Sequence, residues 1–157
     1  MVSSSKTLSR RTVLGSMIAT AAFPVLAQTR QGHDPASQEP TKMKIRMMFG
    51  GQTITATLYD NASARDFASM LPLDAKIEDY STNEKITYLP RKLTEAGSGP
   101  FNNERPGDLC YFAPWGNLAL FHGGYRYSTG LVRLGRFDND FEPLLTRGEF
   151  PLRIERV

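Results

Sequence analysis

The residues able to do chemistry are few and scattered. Cys110 is the only cysteine, and His33 and His122 are the only histidines. One thiol and one neighbouring imidazole do not supply the donors of a zinc site. A lone cysteine forms no intramolecular disulfide. No glycines shape an elbow around Cys110, so it reads as a small buried apolar side chain rather than a nucleophile. No serine stands in a Gly-x-Ser-x-Gly turn. Asp138-Asn139-Asp140 with Glu142 has the composition of a calcium loop, but an EF-hand spreads its ligands over about 12 residues and closes on a Glu. Gly97-Ser98-Gly99 lacks the Lys and Ser/Thr of a phosphate-binding loop. Glu78 and Asp79 are neighbours on an expected strand, so they point to opposite faces and share no proton. No metal and no cofactor are expected.

What remains is aromatic. Residues 106–128 hold Tyr111, the single Trp (Trp115), Phe121, Tyr125 and Tyr127. With His122 and Arg126 they could line a groove for a peptide or flat ligand, since binding sites are mostly apolar clefts with a few directed polar groups. The same side chains could equally be core, because aromatic residues dominate core energetics. Arg126 and Tyr127, beside Gly123-Gly124, are the expected exposed members.

The elements that must position this segment are short and mostly β. Met43-Lys44-Ile45-Arg46-Met47 alternates apolar and polar residues. Residues 52–59 alternate again and are rich in β-branched side chains, with Gly50-Gly51 between them, so the pair reads as a hairpin. One helix follows. Ala64, Phe67, Ala68 and Leu71 fall on one face, Asn61 or Ser63 can cap it, and Pro72 ends it. Ser63 with Asp66 has the form of a short-armed capping box. Further strands are expected over residues 75–80, 85–89, 108–112, 118–122, 131–137 and 151–157. Residues 102–107 form a loop, and Asp138-Asn139-Asp140 opens a short helical turn. About eight short strands and one or two helices make a mainly β, closed barrel.

The N-terminus reads as an address. Ser9-Arg10-Arg11-Thr12 precedes an uncharged run from residue 12 to Ala27, too short and too weakly apolar to span a bilayer. A cationic start, an apolar middle and Val25-Leu26-Ala27 form a signal peptide of the twin-arginine type, cleaved after Ala27 for export to the periplasm. No cysteine follows the run to carry a lipid. The division is residues 1–27 as signal, 28–42 as a polar flexible linker containing His33, and 43–157 as one folded domain. The leader holds Lys6, Arg10 and Arg11 and no acid. Without it, the 19 Lys+Arg and 16 Asp+Glu of the whole chain fall to equal numbers. The high isoelectric point therefore belongs to the leader, and neither nucleic acid nor a membrane is an expected partner of the mature chain.

The order of pieces resembles the cyclophilins. Residues 52–71, a strand, a Leu-Tyr-Asp-Asn turn and a Phe-containing helix, are similar to their early strand–helix unit. Residues 107–145 are similar to their later half. Closer is the resemblance to the bacterial cyclophilin-like small-barrel family, carried by Leu-Pro-Arg-Lys at residues 89–92 and Pro-Gly-Asp…Ala-Pro-Trp-Gly-Asn-Leu-Ala at residues 106–119. The resemblance covers roughly residues 43–157. It implies an eight-stranded barrel with helices closing its ends. Cyclophilins isomerise the bond before proline, lowering a barrier of about 18–20 kcal/mol. An Arg bonded near the prolyl nitrogen helps by weakening amide resonance. The Phe-His-Arg and Gln-Gly-Gly stretch that supplies this Arg is absent. Tyr80, Tyr88 and Arg91 stand in that interval, and Arg91 is the candidate substitute.

The expectation is thus an exported cyclophilin-like domain that binds a peptide, protein or small molecule in an aromatic groove without strong catalysis. Arg91, Trp115, Phe121, Arg126 and Tyr127 are the candidate ligand-binding residues. The alternative is a weak peptidyl-prolyl isomerase. A third reading is a partner subunit for a redox enzyme, which export in the folded state would permit.

Overall fold

The computed structural model describes residues 37–157. The leader and residues 28–36 lie outside the described residues. Eight strands run β1 (Pro40–Phe49), β2 (Gln52–Tyr59), β3 (Leu73–Tyr80), β4 (Glu84–Tyr88), β5 (Asp108–Phe112), β6 (Asn117–Phe121), β7 (Leu131–Phe137) and β8 (Phe150–Arg156). Helix α1 (Ala62–Ser69) follows β2, and a 3-10 turn (Glu142–Leu145) precedes β8. The strands close into an antiparallel barrel in the order β1-β2-β7-β5-β6-β4-β3-β8. Closure leaves no free sheet edge.

Alternation fills the interior. Ile45, Met47 and Phe49 of β1 and Ile54, Ala56 and Leu58 of β2 point inward and are buried. Gly50 and Gly51 both have positive φ (54° and 75°), and Phe49 pairs Gln52. This is the two-residue turn whose twist matches a hairpin. β1 begins three residues before Met43, because polar bonds rather than apolar burial hold its start. Thr41 Oγ1 donates to the Leu58 carbonyl at 2.8 Å, and Asp60 N–H to the Glu39 carbonyl at 2.8 Å.

Helix α1 buries Ala64, Phe67 and Ala68 in the same core as the barrel interior. Its N-cap is Asn61, whose Oδ1 accepts from Ala64 N–H at 2.9 Å. Asn61 Nδ2 donates to the carbonyls of Ser37 and Arg133. The Ser63–Asp66 capping box does not form. The Ser63 hydroxyl donates to Thr94 O at 2.6 Å and accepts from Gly97 N–H at 3.2 Å. Asp66 takes Thr94 N–H at 2.7 Å. Both residues are spent on anchoring the 91–97 loop. At the other end, the Arg156 guanidinium donates twice to the Ala68 carbonyl, at 2.6 and 3.1 Å, supplying a cation where the helix dipole is negative.

Two features of β7 matter most. Leu109 and Cys110 of β5 face Gly135 and Arg133 of β7, so Leu134 is an extra residue on β7, a β-bulge. Gly135 pairs with Leu58 where β7 lies against β2, and a Cβ there would stand 2.3 Å from the Thr57 carbonyl oxygen and 2.9 Å from Leu58 Cα. Backbone on backbone has nothing flexible to yield. Gly135→Ala should therefore cost about 3 kcal/mol, as overpacking does. Chemical denaturation checks it, and a loss below about 0.5 kcal/mol would show that β2 and β7 can part freely.

Candidate functional site

The outer wall of a barrel usually faces water and is polar. Across β4, β6 and β5 it is not. Pairing sets Glu84 beside Phe121, Ala119 between Ile86 and Cys110, and Asn117 beside Phe112. The alternation that sends Lys85 and Thr87 the other way puts Glu84 and Ile86 on this outer face. Cys110, Ala119, Phe121 and Leu131 form a second apolar cluster, covered in part by Phe101, Phe112, Tyr125 and Tyr127.

A cavity of about 410 Å³ opens on this face. Ile86, Ala119 and Leu131 line its floor. Trp115 stands over one side at 48% exposure, edge-on to Tyr80 (centroids 5.4 Å apart) and to Phe112 (5.6 Å). On the other side Tyr125 stacks flat on Phe121, 3.7 Å between centroids at 5°. The volume is within the range of small-molecule sites. The polar groups are Asn83, Glu84, Asn117, Arg126 and Ser128.

Two of these are withdrawn from water yet short of partners. No hydrogen bond or ion pair among the described residues reaches the Glu84 carboxylate, and burial pushes its pKa from 4.5 up to about 7. Asn117, only 2% exposed, donates through Nδ2 to the Leu118 carbonyl, but its Oδ1 is buried with no partner. Buried polar atoms are nearly always bonded, so an orphaned acceptor beside a cavity is informative.

Of the sequence-derived candidates, Trp115, Phe121 and Arg126 come together around this cavity. Arg91 and Tyr127 do not. Arg91 is exposed and forks onto Asp66 at 2.7 and 3.2 Å, holding that carboxyl below the usual range. Its place is the helix–loop anchor, not the cavity rim. Tyr127 packs edge-on against Phe101 at 5.0 Å, and its N–H donates to Glu104. Tyr111 is core: wholly buried, with its hydroxyl accepting from Leu93 N–H at 3.1 Å. Tyr125 donates to Asp108 at 2.7 Å. Burial, with Cys110 and Asp108 beside it, raises its pKa. Cys110 is fully buried, and burial pushes its thiol up to about 12. Asp138 pairs Lys44 and the Thr57 hydroxyl, while Asp140 caps Glu142 N–H. These are turn contacts. Sequence reasoning passed over Glu84 and Asn117. Asn83-Glu84-Lys85 has the composition of a solvated turn, and only the covering aromatics make it otherwise.

A closed eight-stranded barrel with an aromatic cleft on its outer wall defines the class. The profile of the Cyclophilin-like family matches residues 47–155, and the chain belongs to that family. The solution structure of the hypothetical protein AF2241 from Archaeoglobus fulgidus is similar in fold, with a TM-score of 0.58 and 17% identity. The match covers 76% of this chain and 98% of that one. No curated protein matches the sequence.

Two outcomes follow from the site's electrostatics. Glu84 holds its proton more tightly in the folded barrel than in the unfolded chain. Stability therefore falls as pH rises through the interval from 4.5 to about 7. Glu84→Gln removes that loss, so the variant should match the parent in Tm at about pH 4 and exceed it at about pH 8. A Tm difference that stays flat across this interval would refute the shift. Cys110 should resist a thiol reagent in the native protein and react at once on unfolding, because neither access nor thiolate is available. Rapid native labelling would show that the outer cluster opens.

Proposed function

We propose that the protein is an exported cyclophilin-like domain that binds a peptide or small ligand in the cleft on β4, β6 and β5, without strong catalysis. The observation that carries this is the cavity itself: aromatic walls at Tyr80, Phe112, Trp115 and Phe121 on a barrel face that is otherwise expected to be wet. Apolar walls supply burial, while Glu84, Asn117 and Arg126 supply direction. Isomerisation is the weaker reading. Arg126 is the one guanidinium on the cavity, and the cyclophilin stretch that brings an Arg to the prolyl nitrogen is missing.

Trp115 is the single Trp, so its fluorescence reports on the site. Proline-containing peptides should perturb it weakly. Ala119→Leu, which fills the floor, should abolish the response, while Arg91→Ala should leave it unchanged. A protease-coupled assay should give an isomerase rate far below that of a true cyclophilin. A full rate would overturn the reading, including one that survives Arg91→Ala.

Export rests on the leader. The mature chain should begin at Gln28, and changing Arg10 and Arg11 together to Lys should hold the precursor in the cytoplasm. N-terminal sequencing of the periplasmic protein reads this directly, and a chain starting at Met1 would end the cleavage proposal.

A further inference from the structure

The polar groups of the cleft are not matched to one another. Glu84 and the Asn117 Oδ1 are acceptors without donors. They lie at opposite ends of the cleft, since Glu84 pairs Phe121 and Asn117 stands four positions back along β6, about 13 Å at the rise of a strand. Between them the floor is apolar and the walls are aromatic side chains. An unpaired carboxylate and an orphaned carbonyl oxygen favour a cation with N–H donors, and the apolar lining favours a hydrocarbon body on it.

We infer that the cleft takes an organic ammonium ion on an apolar body, its charge against Glu84, its chain over Ile86 and Ala119, and a second donor at Asn117 Oδ1. The inference rests on the cleft being a ligand site and names the class of ligand. The surroundings of Glu84 agree. From β3 and its turn come Tyr80 and Asn83, and from β5 comes Cys110, whose thiol stays protonated. From β6 and beyond come Phe121, His122, Tyr125 and Arg126. Burial, and Lys85 beside it, lower the His122 pKa and favour its uncharged form. Lys85 is bound to Asp79 at 2.8 Å. Arg126 is the competing cation, and it makes no hydrogen bond among the described residues.

The same logic sets a pH dependence. Protonated Glu84 cannot hold a cation, so affinity for an ammonium should rise with pH through the Glu84 pKa of about 7. Hexylammonium is a suitable probe because it stays charged throughout. Titration of the mature protein, followed by Trp115 fluorescence, compares it with hexanol and hexanoate. At about pH 8.5 hexylammonium should bind about tenfold tighter than hexanol, with hexanoate weakest. That preference should vanish at about pH 5.5 and in Glu84→Gln. Aminohexanol should bind tighter than hexylammonium, and that gain should be lost in Asn117→Leu. Arg126→Ala removes the competing cation and should strengthen hexylammonium binding. A blocked lysine peptide that outcompetes hexylammonium would place the ammonium on a polypeptide, and the reverse would place it on a free amine. The comparison of probes needs no variant, so a poorly folding Glu84→Gln would not protect the inference. Equal binding of hexanol and hexylammonium, or preference for hexanoate, would overturn it while leaving the cleft a ligand site. If proline peptides and all three hexyl probes leave Trp115 unperturbed, both readings fall together.

Discussion

The site depends on one buried carboxylate. Asp108, the first residue of β5, is 1% exposed and receives the Arg136 guanidinium at 2.6 Å, the Tyr125 hydroxyl at 2.7 Å, the Arg105 N–H at 3.1 Å and the Arg133 guanidinium at 3.1 Å. A charge taken out of water is tolerable only when its lone pairs are filled in this way. Each donor then fixes something else. Arg136 also holds the Pro106 carbonyl, closing the loop before β5. Arg133 reaches Gln38 and Asn103 and lies over the Phe101 ring at 4.0 Å. Tyr125 becomes a wall of the cleft because Asp108 holds its hydroxyl while its ring stacks on Phe121.

The β7 bulge makes that cluster possible. Arg133 and Arg136 are three apart and would point to opposite faces of a regular strand. The extra residue restores a common face, so both reach Asp108, while Val132, Leu134 and Phe137 all face the interior. A bulge re-aims side chains at the edge of a functional surface. Here it supports the outer apolar cluster from beneath while the interior stays filled.

The cleft and the helix anchor divide the arginines between them. Arg91, Arg133 and Arg136 are each committed to a carboxylate. That leaves Arg126 as the cation at the cleft and Glu84 as its unpaired acid. The two do not neutralise one another, and a half-buried acid without a partner is destabilising by itself. Such groups persist where a ligand completes them, which is why this cleft, and not the well-paired surface around Asp66, carries the functional reading.

Much was legible in the chain. Alternation in residues 43–59, the Gly50-Gly51 turn, the helix face of Ala64, Phe67 and Ala68, and the count of short strands determined a mainly β closed barrel, because periodicity depends on local backbone geometry alone. The aromatic character of residues 106–128 was legible too, and with it Trp115, Phe121 and Arg126. Their sorting was not. Tyr111 went to the core, Tyr127 to Phe101, and Arg91 to Asp66, since each destination lies across a strand pairing or a loop that local sequence does not encode. Glu84 was invisible for the same reason. A carboxylate is solvated or stranded according to what folds over it, and only the barrel's closure brought Tyr80, Phe121 and Tyr125 around it.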